Sequence, residues 1–467
     1  MLQRALAALL IAGLSLLPGV TGAARATTLT VDVTADTFDG SCADGDCSLR
    51  DAIASALDGD TVELPSGFYP LTAVEAGVGR SDGSIEITVR LTIHGVGETG
   101  AFIDASGLGS TPFLIEGAPV TLIDLTVFGA RTTERAGVAQ VDDAALRLTH
   151  VTITGGRGGR AGAVDVGSGG TLVIRDSLLV ENRSSGGAGA VRLRSDGVRV
   201  RAVDSTFLGN RGVRGGAIAG VGLDLRNVTF ARNVATDQGG AVHGNGSWSQ
   251  VTITRNRAPR GAAVATVGQA EPHASHLVIS GNTSGQGGQC LGRLASYAYN
   301  VESHRGCGFR GPTDRQGIDP DLGPVTANGG PTPTASLPPG SVALDVGGTC
   351  SHRDQRGAPR DGPCDAGAYE RVLCRGRAVD IVGTPGDDDL SGGRERDTFL
   401  GLGGDDEFQG SLDRDRACGG AGDDHLIGGP DEDVLVGGAG NDVLDGEGGG
   451  DRCLGGPGRD RRVDCEG

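Results

Sequence analysis

The strongest constraint on this sequence is a run of nine consecutive nonapeptides from Gly383 to Val463. Glycine stands at the first position of every nonapeptide, and aspartate stands at the sixth. A unit of nine residues cannot bury a core of its own, so neighbouring units must stack. Six residues make a turn and three make a strand, so that two nonapeptides complete one coil. The pattern therefore predicts a parallel β-roll.

The aspartates at position six are the candidate metal ligands. They are Asp388, Asp397, Asp406, Asp415, Asp424, Asp433, Asp442, Asp451 and Asp460. Carboxylates stacked beside the backbone carbonyls of glycine-rich turns supply the hard oxygen ligands that calcium prefers, whereas magnesium demands a tighter octahedron. We therefore expect several Ca²⁺ ions as the cofactor of this segment.

The repeats alternate between two edges of such a roll, and these edges differ. We name the edge built by the first, third, fifth, seventh and ninth repeats the odd edge, and the other one the even edge. Position four is glycine throughout the odd edge, whereas the even edge has Glu395, Asp413 and Asp431 before Gly449. We expect the odd edge to bind calcium more tightly, with up to about four ions, and the even edge to hold about three at most. Glu395 should strain its turn, because left-handed backbone disfavours such a residue.

Position eight is expected to fill a narrow core, with Leu390, Phe399, Phe408, Leu426, Leu435 and Leu444. From Gly383 to Gly467 there are 17 aspartates and 5 glutamates against 8 arginines, a net charge of −14. Without a cation, that charge around so thin a core should leave the segment disordered. The alternative is a flexible acidic linker. The nonapeptides are similar to the RTX, or haemolysin-type, calcium-binding repeat, a resemblance that implies calcium binding.

A looser repetition precedes the nonapeptides. Short β-branched runs such as VTITGG at Val151, SLLVEN at Ser177 and VTFARN at Val228 recur every 22 to 28 residues or so. Strand-like units of that length predict a parallel β-helix solenoid of about three strands per coil. Asparagine ends the same run in five units, at Asn182, Asn210, Asn233, Asn256 and Asn282. We expect a hydrogen-bonded asparagine ladder, the alternative being a row of sugar ligands.

The N-terminus and the cysteines indicate export. Arg4, the apolar run from Ala5 to Leu17 and the small-x-small site ending at Ala26 have the order of a secretory signal. No second apolar segment predicts a transmembrane span in the mature chain. Ten cysteines suit an oxidising compartment. Plausible pairs are Cys42 with Cys47, Cys290 with Cys307 and Cys350 with Cys364, while three pairings stay open for Cys374, Cys418, Cys453 and Cys465.

Two further segments resemble known families. TADTFDGSCADGDCSLRDAI, from Thr34 to Ile53, is similar to the CSLREA motif that opens many bacterial secreted β-helix proteins. The stretch that begins IDPDLGPVTANGG and includes DQRGAPR and CDAGAYE, from Ile318 to Glu370, is similar to the choice-of-anchor Q region that closes them. This resemblance implies an exported, surface-associated protein with a right-handed parallel β-helix.

These observations predict an all-β chain in four parts. They are a signal peptide (1–26), a parallel β-helix that begins with the CSLREA-like motif (27–310), a choice-of-anchor Q-like closing region (311–372) and an RTX β-roll (373–467). The expected location is secreted or extracellular, with association to the cell surface. The acidic charge of −18 argues against nucleic acid as a partner.

For function, we expect a binding or adhesin-like protein whose partners are calcium and surface glycans or other envelope components. The alternatives are an extracellular polysaccharide lyase or glycosidase, and a structural envelope or matrix protein. Catalysis needs convergent carboxylates or a base beside calcium-binding acids. The solenoid offers the pair Asp142-Asp143, scattered acids such as Asp165, and His243 as its most site-like histidine. Arg192, Arg194, Arg199 and Arg201 are expected to form one solvated face, and no catalytic residue is assigned.

Overall fold

The structure is a computed structural model that describes residues 26–43, 45–72, 82–97, 99–195, 197–268, 271–360 and 362–466. The signal-peptide prediction falls on residues 1–26, of which all but Ala26 lie outside the described residues. Over the described ranges, one short helix accompanies a chain built almost entirely of parallel strands. The prediction of an all-β fold, a parallel β-helix followed by a parallel β-roll, is confirmed.

The helix, Leu49–Ser55, covers the open end of the first coil. Ser48 caps it, since its Oγ accepts from the Asp51 N–H at 3.2 Å while the Asp51 carboxylate accepts from the Ser48 N–H at 3.3 Å. A disulfide between Cys42 and Cys47 closes the preceding loop. Buried apolar side chains of the helix join the solenoid core, so this segment shields the first coil from water.

The solenoid strands of the described residues form one large sheet of 26 strands, in which each strand pairs in parallel with its equivalent one coil away. They are Thr28–Thr30, Asp60–Leu64, Gly67–Pro70, Ile85–Ile87, Leu91–Gly95, Ala101–Asp104, Phe113–Glu116, Val120–Ile123, Leu125–Phe128, Ala139–Asp142, Ala145–Thr149, Thr152–Thr154, Val164–Val166, Thr171–Arg175, Leu178–Val180, Val191–Leu193, Arg199–Leu208, Ile218–Ala231, Val242–Thr254, Val264–Ala265, His273–Ser275, Val278–Ser280, Cys290–Leu291, Ala295–Ala298, Val301–Glu302 and Arg315–Gln316.

The middle coils add a fourth strand, which directly follows Gly156 in the first of them and the ladder asparagine in the other five. These strands are Arg157–Gly158, Arg183–Ser184, Arg211–Arg214, Val234–Gln238, Arg257–Ala258 and Thr283–Ser284. They form a separate parallel sheet, which we name the narrow sheet. The expected three strands per coil are therefore joined by a fourth.

Aligned columns of aliphatic side chains fill the solenoid. Leu146 pairs with Leu172, Leu172 with Val200, and Val200 with Leu223, and all four are at most 1% exposed. The alternation of apolar and polar residues along each strand points every second side chain inward. Since each coil repeats that alternation, the inward side chains stack on their equivalents and exclude water.

The asparagine ladder is a buried hydrogen-bonded structure. The Oδ1 of Asn233 accepts from the backbone N–H and from the Nδ2 of Asn210, at 2.9 and 3.0 Å. The Nδ2 of Asn233 donates to the Phe207 carbonyl and to the Oδ1 of Asn256, both at 2.9 Å. Asn182, Asn210, Asn233 and Asn256 are fully buried. The structural role is confirmed, and the alternative of a row of sugar ligands is wrong.

The segment after the solenoid folds back over one of its faces. Its short hairpin of Val325–Thr326 and Thr334–Ala335 leads to Gln355, whose amide bonds Thr206 and Thr229 at 2.6 and 2.7 Å. The Oγ1 of Thr252 accepts from the Ala368 N–H at 2.9 Å. Polar side chains of three neighbouring coils are thus buried beneath a segment more than a hundred residues away in sequence.

A buried ionic network fastens this segment to both neighbours. The guanidinium of Arg356 pairs with Asp354 at 2.9 Å, lies 3.9 Å from the centroid of the Tyr369 ring, and donates to the Val379 carbonyl at 3.3 Å. Arg360 pairs with Glu370 at 2.5 Å. The DQRGAPR and CDAGAYE sequences therefore have a structural role in this fold.

The β-roll consists of two facing parallel sheets. The sheet of the odd repeats has Asp389–Ser391, Glu407–Gln409, His425–Gly429, Val443–Glu447 and Arg461–Val463, and that of the even repeats has Ile381–Val382, Thr398–Leu400, Arg416–Ala421, Val434–Ala439 and Arg452–Leu454. A hairpin of Leu373–Cys374 and Arg377–Ala378 precedes them. Phe399, Phe408, Leu426, Leu435 and Leu444 fill the space between the sheets with no exposed surface, while Leu390 is partly buried. This confirms the predicted core.

All ten cysteines are among the described residues and form five disulfides. The three predicted pairs, Cys42–Cys47, Cys290–Cys307 and Cys350–Cys364, are confirmed. Of the three pairings left open, the structure has Cys374–Cys418 and Cys453–Cys465. The first bond ties the hairpin before the roll to its fourth repeat, and the second closes its last coil.

We expect Asn233→Ala to lower the free energy of unfolding of the solenoid by about 2–4 kcal/mol, because the N–H and Nδ2 of Asn210 lose a buried acceptor. Urea denaturation followed by the fluorescence of Trp248, the sequence's one tryptophan and a buried one, measures this loss. Asn245→Ala is the control, since half-buried Asn245 donates one bond, to the Val267 carbonyl. Equal midpoints for the two variants would contradict a stabilising ladder.

Glu302 gives the solenoid a pH dependence. Burial raises its pKa to about 7 from 4.5, and its Oε2 has no hydrogen-bond partner among the described residues. A raised acid pKa contributes stability at low pH that is lost as the pH rises through about 7. Glu302→Gln should therefore stabilise the solenoid by roughly 1–3 kcal/mol at pH 8 and change little at pH 4. Urea denaturation followed by Trp248 fluorescence measures this change, and substitution of the exposed Glu271 by glutamine is the control. A Glu302→Gln protein less stable than the wild type at pH 8 would overturn the prediction.

Candidate metal centre

The position-six aspartates form two ladders, one at each edge of the roll. In seven pairs, the backbone N–H of one aspartate donates to the Oδ1 of the aspartate one coil further on, at 2.7 to 3.3 Å. The odd edge aligns Asp388, Asp406, Asp424, Asp442 and Asp460, and the even edge aligns Asp397, Asp415, Asp433 and Asp451. The structure therefore brings all nine predicted residues into these two rows.

The second carboxylate oxygen of six of the nine aspartates is buried and has no partner among the described residues. Over the described part of the chain, Oδ2 has no hydrogen-bond partner in Asp406, Asp415, Asp424, Asp433, Asp442 and Asp451. All six residues are at most 2% exposed. The first aspartate of each edge differs, since Asp397 Oδ2 accepts from the Gly393 N–H at 2.7 Å and Asp388 Oδ2 accepts from the Thr384 N–H. A buried acceptor without a donor is costly, so six such atoms in register indicate an interaction with a cation.

The glycine at position one leaves room for this carboxylate. A Cβ on Gly419 would lie 2.1 Å from the Oδ2 of Asp424, and a Cβ on Gly437 would lie 2.0 Å from the Oδ2 of Asp442. Equivalent close approaches occur in the other repeats. Position one is therefore glycine throughout, because the aspartate of the same repeat occupies the space of a side chain.

Burial raises the free-energy cost of ionising the aspartates of both ladders. It raises the pKa of Asp415 and Asp424 to about 7 and that of Asp406 and Asp433 to about 6, and neighbouring carboxylates add to the rise. Each aspartate receives a backbone N–H, which acts in the opposite direction without cancelling the burial. A divalent cation between successive rungs would offset this cost by direct attraction.

The oxygen chemistry of both edges fits calcium. Within the described residues, no cluster of three or more His, Cys, Asp and Glu side chains could hold a metal ion by itself. A site would therefore combine the carboxylates of two successive rungs with backbone carbonyls of the turns. That combination suits calcium, which accepts carboxylate and carbonyl oxygens in flexible geometry.

The odd edge carries a second acidic row at position five. The Asp405 N–H donates to Asp387 Oδ1 and the Asp423 N–H donates to Asp405 Oδ1, both at 2.8 Å. Asn441 continues the row, with its N–H 2.7 Å from Asp423 Oδ1. At position four, Gly422 has a φ of 133°, a backbone conformation that glycine adopts without strain. The odd turns thus combine permissive backbone with additional negative charge.

The even edge contains arginines among its turns. Arg396 pairs with Asp413 at 3.1 Å, and Arg414 pairs with Glu432 at 2.6 Å. The guanidinium of Arg377 donates to the carbonyls of Arg396 and Arg414, at 2.5 and 3.1 Å. Arg377, Arg396, Arg414 and Glu432 line a cleft of about 510 Å³. The even edge therefore has positive charge of its own beside its aspartate ladder.

The prediction that Glu395 strains its turn is wrong. Glu395 lies outside the left-handed region, whereas the equivalent Asp413 has a φ of 70° and lies in it. At position two, Leu402 and Ser411 have φ values of 84° and 83°. No residue of the Glu395 repeat, 392–400, has a positive φ, so this turn needs no left-handed residue and Glu395 is accommodated without strain.

Two of the acids that the sequence singles out in the solenoid, Asp142 and Asp165, lie beside an arginine. Arg194 bonds Asp142 at 2.6 Å and lies 3.3 Å from buried Asp165. The prediction that four arginines share one solvated face is wrong, because the strand at Arg192 stacks on Val164–Val166 whereas that of Arg199 and Arg201 stacks on Thr171–Arg175.

His243 is the site-like histidine of the sequence. It is half-buried, and burial lowers its pKa. Its Nδ1 has no hydrogen-bond partner among the described residues. It lines a cleft of about 290 Å³ together with Arg192, Arg194 and Arg214, and no acidic side chain lines that cleft within the described residues.

The comparisons with known proteins concern the roll most directly. The family model of the RTX calcium-binding nonapeptide repeat, four copies long, matches residues 382–417, 409–442, 419–453 and 427–461. No curated protein matches the chain. Two solved structures show a distant likeness. A rhamnogalacturonan lyase is 12% identical over 54% of this chain and 87% of its own, with a TM-score of 0.27. The PL6 family alginate lyase AlyGC is 10% identical over 85% of this chain and 70% of its own, with a TM-score of 0.26. The C-terminal segment thus carries RTX calcium-binding nonapeptide repeats.

Proposed function

We propose that this chain is an exported calcium-binding protein in which the roll folds around calcium and the β-helix presents a rigid surface for binding. The observation that carries the proposal is the six buried Oδ2 atoms, three on each edge, that have no partner among the described residues. An aspartate ladder with acceptors and too few donors needs a cation. The match of the RTX repeat model to the same residues supports calcium as that cation.

Successive aspartates of one edge would share each ion. On the odd edge the pairs are Asp388 with Asp406, Asp406 with Asp424, Asp424 with Asp442, and Asp442 with Asp460. On the even edge they are Asp397 with Asp415, Asp415 with Asp433, and Asp433 with Asp451. Bound calcium neutralises the carboxylates and supplies the attraction that the buried Oδ2 atoms lack.

Calcium binding of this kind is large enough to decide folding. Extracellular calcium modules bind at about 0.1 to 1 mM. At about 1 mM calcium and a Kd of about 0.1 mM, each site contributes about 1.4 kcal/mol. Several such sites together equal the whole stability of a small domain, about 5–15 kcal/mol. We therefore infer that the roll folds where calcium is abundant, outside the cell.

We expect Asp424→Ala to remove more bound calcium than Asp433→Ala. Both aspartates are buried and occupy inner rungs. Asp424 adjoins two sites of the odd edge, whose position-five row adds negative charge, whereas Arg396 and Arg414 counter the charge of the even edge. Isothermal titration calorimetry of the full chain should show a loss of about two ions for Asp424→Ala and a smaller loss for Asp433→Ala.

Asp445→Ala is the control for this comparison. Asp445 belongs to the odd edge's sheet but lies outside both ladders and accepts a bond from the Glu447 N–H. Its substitution should leave the calcium stoichiometry unchanged. Equal losses for Asp424→Ala and Asp433→Ala would refute the difference between the edges, and full stoichiometry in both would refute the ladder sites.

Export is supported by the cysteines and by the sequence of the N-terminus. Five disulfides fit an oxidising compartment. In the described ranges, the structure has no helix with the length and hydropathy to cross a membrane. The resemblance of residues 34–53 and 318–370 to CSLREA and choice-of-anchor Q segments adds association with a cell surface to this proposal.

The β-helix is proposed to bind surface glycans or other envelope components. Its parallel sheets form an extended surface, and two of its acids, Asp142 and Asp165, are engaged with Arg194. A glycan array with and without calcium tests this role. Calcium-dependent retention of a glycan supports it, depolymerisation of uronate polymers would favour a lyase, and neither result, with cell-wall fractionation, would favour a structural envelope protein.

A further inference from the structure

A straight row of arginines runs along the narrow sheet. Arg131 pairs with Arg157, Arg157 with Arg183, and Arg183 with Arg211, each in parallel register with its equivalent one coil away. All four are exposed. Successive rungs of a sheet are about 4.8 Å apart. The fold therefore places four guanidinium groups on neighbouring rungs of one face, and we name this row the arginine row.

The arginine row has no carboxylate partner among the residues that the structure describes. Over the described residues, none of these four side chains forms an ion pair with a carboxylate, whereas other exposed arginines, such as Arg201 with Asp224, do. Like charges on adjacent rungs repel one another. An unpaired row of this kind is destabilising by itself, which points to a role in binding an anion.

The row lines a cleft of about 530 Å³ whose other walls are small and uncharged. Thr132, Thr133, Ser184, Ser185 and Thr236 contribute hydroxyl groups. Within the described residues, no acidic and no aromatic side chain lines it. Guanidinium groups bind carboxylate or sulfate in a bidentate manner, and hydroxyl groups complement those of a sugar ring.

Other extended anions fit the cleft less well. Single-stranded nucleic acid is held by aromatic platforms on which bases stack, and the cleft has none among the described residues. Membrane surfaces require apolar anchors beside the basic residues. The lining of small polar residues instead suits a chain of saturated, hydroxylated rings that carries a negative charge at regular intervals.

We propose that the arginine row binds a linear polyanionic glycan, one that bears carboxylate or sulfate groups along its length and lies parallel to the solenoid axis. This inference rests on the binding role proposed for the β-helix and names the class of its ligand. Arg157 and Arg183, at the centre of the row, contact successive anionic groups. The affinity therefore falls as the salt concentration rises.

The test measures binding of hexagalacturonate, which carries carboxylates, and of a heparin hexasaccharide, which adds sulfates, to the full chain in calcium. The variant Arg157→Gln/Arg183→Gln should weaken binding of at least one probe by about tenfold or more. The matched control is Arg147→Gln/Arg199→Gln, which removes two exposed arginines from other strands of the same solenoid. That control should bind as the wild type does.

Each outcome decides the proposal. Weaker glycan binding by Arg157→Gln/Arg183→Gln alone, with an unchanged urea midpoint by Trp248 fluorescence, supports the arginine row. The probe whose binding weakens then identifies carboxylate or sulfate as the group that the row binds. Equal binding by both variants overturns the row but leaves the binding role of the β-helix intact. The proposal is also overturned if the protein binds single-stranded poly(dT) more tightly than either glycan, or if the wild type binds neither glycan. The glycan array tests the binding role of the β-helix separately.

Discussion

The solenoid and the roll both stack identical side chains on successive coils. They differ in whether that side chain supplies a hydrogen-bond donor as well as an acceptor. Asparagine has both an acceptor and a donor, so the ladder through Asn210 and Asn233 satisfies itself. Aspartate has only acceptors, so the ladder through Asp406 and Asp424 uses Oδ1 for a backbone N–H and leaves Oδ2 buried without a partner among the described residues. The asparagine ladder thereby satisfies its own donors and acceptors, whereas we propose that the aspartate ladder depends on calcium.

This difference assigns separate roles to the parts of the chain. A solenoid that is stable by its own contacts can be a lasting surface, capped by the helix after Ser48 and covered on one face by the segment around Gln355. A roll that depends on calcium, as we propose, would fold only where calcium is abundant. The Cys374–Cys418 disulfide ties the hairpin before the roll to its fourth repeat, and Arg356 bonds the Val379 carbonyl beside that hairpin.

Periodic features were predictable from the sequence because the same residue type recurs at the same position of each repeat. The aspartate rows, the core at Phe399 and Leu426, and the buried asparagines followed from spacing alone. Contacts between distant segments were not predictable: Thr252 alternates as a solvent-facing residue would, yet Ala368 covers it. The unpartnered Oδ2 atoms and the arginine row likewise depend on which residues register across coils. The Glu395 prediction failed because the turn of residues 392–400 contains no left-handed residue, unlike the turn of Asp413.

Hydrogen–deuterium exchange of the full chain, in millimolar calcium and in excess chelator, tests the dependence of the roll on a cation most directly. With calcium, the amides that pair across the coils, such as those of Asp406 and Asp424, should be protected. In chelator, that protection should disappear from residues 383–463 while the amides of the asparagine ladder stay protected. Equal protection of the roll in both conditions would contradict the account.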